Sequence, residues 1–271
     1  MSNTIQIAIP CDNEEIMEQL IAQLSSSFDA FEERMNELVA FTKQEDFDPV
    51  VLESVLSAYN LHYDKILIED QNWNALWESN FDPVVVRDFC AIRADFHPPS
   101  TNTQHEIIIT PKMSFGTGHH ATTFMMLNEM SKIDFKNKKV ADFGTGTGVL
   151  AILAEKLGSK GVLAIDIDDW SIENARENID KNGCKNVAIQ KADGFLATGQ
   201  FDIILANINK NVILSNANAF EDRINQGGKI LLSGLLKEDE NEIVTVFASK
   251  GIKHQSTVER NRWICLLLQS Q

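Results

Sequence analysis

Short apolar runs alternate regularly with amphipathic stretches from Lys138 to the end of the chain. The apolar runs predict strands over 139–143, 162–167, 187–191, 201–207 and 229–233. The stretches between them predict helices over 148–157, 171–182, 210–225 and 237–250. Continuous apolar strands such as FDIILAN are typical of a parallel sheet that is covered on both faces. Because 253–258 and 263–268 can pair through a turn at 259–262, we expect an α/β domain whose seven-stranded sheet ends in an antiparallel hairpin.

A different pattern occupies the start of the chain. Residues 4–9 alternate and predict a strand, and 13–24 predict a helix with one apolar face, formed by Ile16, Leu20, Ile21 and Leu24. Strands over 28–33 and 37–42, a helix that begins near Pro49 and an apolar run over 65–70 complete the order β-α-β-β-α-β. This order is typical of a small α+β ferredoxin-like domain, which we expect over 1–70. Since it holds no catalytic constellation, we interpret it as a substrate-recognition or docking domain.

The segment 71–100 is expected to be a linker, followed by a catalytic domain over 101–271. Trp73 and Trp77 are four residues apart in this linker and would share one face of a helix, which simple packing explains. A strand over 107–110 and a helix over 121–133, with Phe124, Leu127 and Met130 facing inward, enclose the loop SFGTGHHATT at 114–123. Its paired glycines favour a backbone that bends sharply or lies close to a ligand. His119 and His120 lack partners at metal-ligand spacing, so we expect no metal site.

Composition restricts the setting in which the chain works. No run reaches the roughly 18 apolar residues of a membrane span, and no signal peptide is evident, so we expect a cytoplasmic protein. The four cysteines form no CxxC pair, which argues against a zinc site or a disulfide framework. With 39 acidic and 24 basic side chains, the net charge is −15. Such a charge repels phosphate backbones and favours a basic protein partner, although acidity alone can simply maintain solubility.

The chemistry is concentrated in VADFGTGTG at 140–148. Glycines at 144, 146 and 148 follow an apolar strand and precede a helix, as in sites that bind a nucleotide cofactor. Asp166 ends the next strand, where a carboxylate can accept both hydroxyls of a ribose. The third glycine comes one residue too early for the dinucleotide motif GxGxxG. Asp142 would repel a pyrophosphate but attract the ammonium of S-adenosylmethionine, which is therefore the predicted cofactor.

Two polar residues follow later strands. Asp193 comes after the third strand and is a candidate contact for the adenine amine, although an aspartate there also starts turns. Asn207 ends the fourth strand, at the edge of the sheet where ligands bind. Its amide oxygen can accept a hydrogen bond from an incoming amine and orient the nitrogen for attack. Capping of the next helix explains Asn207 almost equally well.

These motifs together resemble one known family. DFGTGTGVLAILAEKLG, AIDID, the tripeptide ANI and above all FGTGHHATT are similar to the PrmA family, and NWNALWESNFDPVVV resembles its linker. The resemblance implies a Rossmann-like class I methyltransferase domain that uses S-adenosylmethionine to methylate large-subunit ribosomal protein eleven. It places cofactor binding at four positions, with Asn207 also orienting the amine: Thr123, Gly144, Asp166 and Asn207. Further candidates for the cofactor site are Asp142, Gly146, Phe115 and Asp193.

Three hypotheses about function follow. The first is methylation of amines of a basic ribosomal protein, on lysine side chains or the N-terminal α-amine, by a monomeric enzyme. The second is methylation of RNA or a small molecule on the same fold, although the charge of −15 and the lack of a basic stripe argue against RNA. The third is a non-enzymatic docking protein, which the intact Asp142, Asp166 and Asn207 disfavour. No residue is predicted as a strong general base; His119 and His120 are candidates for assistance.

Overall fold

The computed structural model describes residues 3–34, 36–68, 82–110 and 120–271. By internal contacts the chain divides into two compact units, Met1–Asn80 and Phe81–Gln271. Phe115, His119, Trp73 and Trp77, which the sequence analysis singled out, lie outside the described residues. Within the described part of the chain, no helix is both long and apolar enough to cross a membrane.

The first unit has the six elements that the sequence predicts, in the predicted order. They are β1 (Thr4–Pro10), α1 (Glu14–Leu24), β2 (Ala30–Arg34), β3 (Glu37–Lys43), α2 (Pro49–Ser57) and β4 (Asp64–Ile68). The strands form an antiparallel sheet in the order β2-β3-β1-β4. Leu20 and Leu24 on the predicted face of α1 are fully buried against β1, in a core that α2 shares. Helix α2 begins as expected, because Pro49 needs no backbone donor there and the Asp48 side chain accepts from Val50 N at 2.9 Å.

A small sheet opens the second unit. Its strands are β5 (Val84–Val86), β6 (Cys90–Ala94) and β7 (His105–Ile109), in the order β5-β6-β7. The sequence predicts a linker over 71–100, and here the structure differs: β5 and β6 lie within that segment. Every residue of β6 is buried, and Cys90 and Ile92 belong to the same core as the glycine-turn helix. Burial of this apolar surface makes the segment from residue 84 onward an integral part of the second unit.

The second unit continues with helices α3 (Ala121–Met130), α4 (Val149–Lys156), α5 (Asp169–Lys181), α6 (Lys210–Ser215), α7 (Ala217–Arg223) and α8 (Glu240–Ala248). Its large sheet contains β8 (Lys139–Phe143), β9 (Gly161–Asp166), β10 (Val187–Lys191), β11 (Phe201–Asn207), β12 (Ile224–Leu236), β13 (Ile252–Arg260) and β14 (Trp263–Ser270). The strand order is β10-β9-β8-β11-β12-β14-β13. The pairs β12·β14 and β13·β14 are antiparallel and the others parallel, so the predicted seven-stranded sheet with a terminal hairpin is confirmed.

Three predicted boundaries in this unit are wrong. The single helix predicted over 210–225 is interrupted at Asn216, because its Nδ2 donates to Val212 O at 2.9 Å while its Oδ1 accepts from Phe195 N at 2.7 Å. This side chain therefore competes with the backbone bonds that would continue the helix. The strand predicted over 229–233 runs from Ile224 to Leu236, and the helix predicted over 237–250 starts with a 3₁₀ turn at Lys237–Asp239.

Candidate active site

The glycine turn connects the carboxyl end of β8 to the first turn of α4. Gly144, Gly146 and Gly148 all have left-handed φ angles, of 75°, 53° and 81°. The amides of Gly144 and Thr145 donate to Ile165 O at 2.8 and 3.0 Å, which fastens the turn to β9. A Cβ atom on Gly144 would lie 2.2 Å from Cγ2 of Ile208. A side chain is therefore excluded at Gly144 both by the backbone conformation and by space.

Asp166 lies directly beside this turn. Its Oδ2 accepts from Gly146 N at 2.9 Å and its Oδ1 accepts from Asp168 N at 3.1 Å. These two bonds hold the carboxylate rigidly, and each oxygen retains a lone pair for a hydroxyl. The neighbouring strand brings Asp193 to the same edge, since Ala192 N donates to Asp166 O at 2.9 Å. Asp193 itself is exposed.

Asp142 is completely buried beneath the turn. Its Oδ2 accepts from Thr145 Oγ1 at 2.6 Å and from Ala151 N at 3.1 Å. Its Oδ1 is buried and has no hydrogen-bond partner among the described residues. Burial raises the pKa of Asp142 to about 7. The two hydrogen bonds favour the carboxylate and so lower the pKa, but the effect of burial is larger. A buried acceptor of this kind suits a cationic or hydrogen-bonding ligand group, which fits the ammonium of S-adenosylmethionine.

Asn207 lies at the carboxyl end of β11, across β8 from Asp166. Its Nδ2 donates to Oγ1 of Thr123, a buried residue in the first turn of α3, at 3.2 Å. With the amide nitrogen used in this bond, Oδ1 remains as an acceptor for another group. One narrow cleft is lined by Thr123, Gly144, Thr145, Thr147, Val149, Leu150 and Asn207. The structure thus brings three of the four positions named by the resemblance to one cleft, with Asp166 adjoining through Gly146.

Asn178 supports this cleft from α5 and was missed in the sequence. Its Nδ2 donates to Thr147 O at 2.8 Å, and its Oδ1 accepts from Thr110 N at 2.8 Å. This one side chain therefore ties the glycine turn to the end of β7. The helical spacing places Asn174 and Asn178 on the same face as Ala175 and Ile179, and the structure shows that both asparagines are fully buried. Polar residues at buried helix positions need hydrogen-bond partners, and Asn178 finds them in the backbone of Thr147 in the glycine turn and of Thr110.

Two apolar side chains beside the acidic residues were also missed. Ile167 directly follows Asp166, and Leu196 follows Asp193 by three residues. Both are exposed: Ile167 directly follows β9, and Leu196 lies in the loop after the neighbouring strand β10. Exposed aliphatic groups at the mouth of a ligand site suit the flat face of an aromatic base.

His120 has a structural task at the start of α3. Its Nδ1 accepts from Thr122 N at 3.4 Å and lies 2.7 Å from Thr122 Oγ1, so the side chain caps the helix. Its ring also meets the edge of Trp263 at a centroid distance of 4.8 Å. A neutral imidazole whose Nδ1 accepts a hydrogen bond must carry its own proton on Nε2. Uptake of a substrate proton on either nitrogen would require the cap to be given up.

A larger open groove of about 370 Å³ lies elsewhere in the second unit. Its lining includes Lys156 and Lys181, the last residues of α4 and α5. The glycine turn is at the opposite end of α4, about 12 Å away at 1.5 Å per residue. The groove therefore belongs to another face of the unit, and the small cleft is the site that the chemistry supports. Among the described residues, no group of three or more His, Cys, Asp or Glu could hold a metal ion.

The strand order, the glycine turn after β8 and the acidic end of β9 define the class: a Rossmann-like class I methyltransferase. The family model of ribosomal protein L11 methyltransferase (PrmA) matches residues 4–271. The chain belongs to this family, and the resemblance seen in its motifs is confirmed.

Individual relatives agree with this assignment. The ribosomal protein L11 methyltransferase of Porphyromonas gingivalis is 40% identical over 222 residues, covering 80% of this chain and 77% of the relative. That of Phocaeicola vulgatus is 36% identical over 264 residues, covering 94% and 93%. The crystal structure of a ribosomal protein L11 methylase from Lactobacillus delbrueckii subsp. bulgaricus matches with a TM-score of 0.65 at 31% identity, covering 70% of this chain and 99% of that one.

Proposed function

We propose that this methyltransferase transfers methyl groups from S-adenosylmethionine to amines of ribosomal protein L11. The observation that carries the proposal is the amide of Asn207, held by Thr123 at the edge of the glycine-turn cleft. Membership of the family, and the names of its relatives, support L11 as the substrate. When bound, S-adenosylmethionine supplies a sulfonium methyl that an amine nitrogen can displace directly. Such a reaction needs orientation more than it needs a strong catalyst.

Four acidic or glycine positions are proposed to hold the cofactor. Asp166 would accept the ribose hydroxyls, and Asp142 Oδ1 would face the ammonium of the methionine part. Gly144 and Gly146 would allow close approach of the backbone. The adenine would lie against Ile167 and Leu196. Contacts from Phe115 and Asp193 remain predictions.

Asn207 is proposed to orient the target amine. Thr123 occupies Nδ2 of Asn207, so that Oδ1 is directed to accept a hydrogen bond from the amine N–H. This bond would aim the nitrogen lone pair at the methyl carbon. Thr123 and Asn207 would act as a pair, because rotation of the amide would place a donor where the amine needs an acceptor.

The amine must lose a proton before it attacks. Keeping a lysine neutral at pH 7 costs roughly 4–5 kcal/mol, and an α-amino group about 1–1.5 kcal/mol. None of the described residues that line the cleft is ionisable, and the Nδ1 of His120 caps α3. We propose that desolvation in the cleft lowers the pKa of the amine and that its proton leaves to water. Because desolvation lowers the pKa of either kind of amine, lysine side chains and the N-terminal α-amine are both proposed as targets.

Charge supports the first unit as the part that recognises a basic protein. Residues 1–80 contain 16 acidic and 3 basic side chains, whereas 81–271 contain 23 and 21. Nearly the whole charge of −15 therefore resides in the first unit. A concentrated negative field attracts a cationic protein and repels RNA, which disfavours direct nucleic-acid binding. We propose that the enzyme acts as a monomer in the cytoplasm.

The proposal is tested by incubating the full chain with labelled S-adenosylmethionine and purified ribosomal proteins, followed by mass mapping of the products. We expect label on amines of L11. The variant Asn207→Asp should bind S-adenosylmethionine by calorimetry yet lose most turnover, because an added negative charge would favour the protonated, unreactive amine. Label in RNA or metabolites and none in L11 would refute the proposed substrate.

A further inference from the structure

Strand β4 is an open edge of the sheet in the first unit. It pairs with β1 on one side, and no described strand pairs with its other side. All five residues of β4 are exposed, including three consecutive aliphatic side chains: Ile66 at 51%, Leu67 at 43% and Ile68 at 40%. An edge of this kind presents unpaired backbone groups and apolar side chains together, which is a template for another strand.

Two other edge strands, β2 and β7, carry groups that protect them. Strand β2 lies at the opposite edge of the same sheet, and Arg34 forms an ion pair with Glu32 along it at 2.7 Å. The edge strand β7 is covered by α5, because the Asn182 side chain accepts from Ile108 N at 3.0 Å and donates to Ile108 O at 2.6 Å. Charges and covering side chains are the usual means of preventing edge pairing. Among the residues that the structure describes, neither a charged side chain nor a covering side chain protects the aliphatic end of β4.

The register shows how β4 would present itself to an added strand. Ile66 pairs with Gln6 and Leu67 pairs with Ile5 of β1. Since side chains of a strand alternate, Leu67 lies on the face of the buried Ile5, and Ile66 and Ile68 lie on the other face. A strand added to β4 would find an aliphatic neighbour on each face, as well as a row of backbone donors and acceptors.

We infer that β4 binds an extended segment of the basic protein substrate by β-strand addition. This inference rests on the proposed function, and the charge of the unit selects the occupant. With 16 acidic side chains against 3 basic ones over residues 1–80, a cationic segment is attracted, whereas an acidic one is repelled. Backbone pairing with β4 supplies the register, and the negative field supplies the attraction. The paired segment would hold the substrate protein on the first unit.

A pair of matched variants separates pairing from simple charge attraction. Ile66→Glu adds a negative charge on the edge, and Val50→Glu adds the same charge on α2, at a site that is 71% exposed. If charge alone mattered, both variants would lower the KM for L11. Strand addition predicts that Ile66→Glu raises this KM about tenfold, because an apolar contact that would be buried in the complex becomes a charge. The kcat of Ile66→Glu and the KM of Val50→Glu should both stay close to the wild-type values. Equal KM values for the two variants would overturn the inference.

Hydrogen exchange of the full-length enzyme measures the pairing directly. Addition of L11 should slow exchange of amides in 64–68 and leave those of β2, at 30–34, unchanged. Slowing at β2 instead, or no slowing at β4 under conditions where L11 is methylated, would refute the inference while the proposed function stands. Slowing at 64–68 that depends on enzyme concentration without L11 would mean that a second copy occupies the edge, which also refutes it. Failure of wild type to methylate L11 would refute the proposed function itself.

Discussion

Asp142 illustrates how a residue can be destabilising and useful at once. Its pKa is raised from 3.8 to about 7 by burial, so the folded state favours the protonated form. The folded protein then binds more protons than the unfolded chain between these two values, and stability falls as pH rises through that window. A cationic ligand group near Oδ1 would restore the carboxylate form. Cofactor binding should therefore release a proton near neutral pH.

We predict that Asp142→Asn removes this pH dependence. Between about pH 5.5 and 8.5 the Asp142 contribution to wild-type stability should fall by about 2 kcal/mol, a loss that a neutral asparagine cannot show. Urea unfolding of both proteins without cofactor at the two pH values measures the difference. Affinity for S-adenosylmethionine, measured by calorimetry, should weaken in the variant. Parallel stability curves for wild type and variant would contradict the raised pKa.

His120 offers a second prediction for a single residue. Asparagine caps helices well but cannot act as a base, whereas alanine can neither cap a helix nor act as a base. His120→Asn should keep turnover near wild type, and His120→Ala should lose about 1 kcal/mol of stability through the lost cap. Thermal unfolding and initial rates of both variants check this. Equal, large losses of turnover in both, with unchanged stability of the asparagine variant, would restore His120 as a candidate base.

At the scale of elements, the site depends on close contacts among three neighbouring parallel strands, β8, β11 and β12, near their carboxyl ends. Ile208, the residue after Asn207, lies between Gly144, which directly follows β8, and Gly234, which lies in β12. A Cβ on Gly144 would meet Cγ2 of Ile208 at 2.2 Å, and a Cβ on Gly234 would meet Ile208 O at 2.3 Å. The amide of Ile208 donates to Ser233 O at 3.2 Å. The position of Asn207 is therefore set by small residues on both neighbouring strands.

Gly234→Ala and Gly183→Ala form a matched pair that tests the close contact between Gly234 and Ile208. Both glycines have left-handed φ angles, 81° and 65°, but nothing lies within 4 Å of a Cβ placed on Gly183. Gly183→Ala should cost about 1–2 kcal/mol from conformation alone, with activity retained. Gly234→Ala should cost more and reduce kcat, because the backbone of Ile208 must move and carry Asn207 with it. Equal losses of stability and unchanged kcat would show that the close contact is unimportant.

At the scale of the whole molecule, the net negative charge is distributed unevenly between the two units. The first unit carries 16 acidic against 3 basic side chains, and the second is nearly balanced. Long-range attraction to a basic protein is screened by salt, with a Debye length of about 8 Å at physiological ionic strength. Binding of a small cofactor in a half-buried cleft depends much less on that field. The two substrates should therefore respond differently to ionic strength.

We predict that the KM for L11 rises several-fold when salt is increased from low to high concentration. The Kd for S-adenosylmethionine, measured by calorimetry over the same range, should change little and serves as the control. Steady-state rates with L11 as the varied substrate measure the effect. A KM for L11 that is constant or falls with salt would show that the charge of the first unit has no part in recognition.

The order of elements and the chemistry of the cofactor site could be read from the chain. Apolar continuity in FDIILAN and GVLAID predicts buried parallel strands, because only residues covered on both faces can all be apolar. The positions of Gly144, Asp166 and Asn207 at strand ends follow directly, since carboxyl ends of parallel strands share one edge. Motif and topology together therefore predict that these residues lie near one another.

Other features depend on contacts between residues far apart in sequence, and these only the folded chain reveals. Asn216 breaks a helix because Phe195 offers it a backbone donor. Asn178 serves the site because α5 crosses both Thr110 and Thr147. The strands in 84–94 join the second unit because they share a core with residues that lie further along the chain, such as Ile107, Met126 and Leu153. The periodicity of the sequence indicates which face of an element is buried. Tertiary packing decides which element covers that face, and it decides which strands, such as β4, lie at the edge of a sheet.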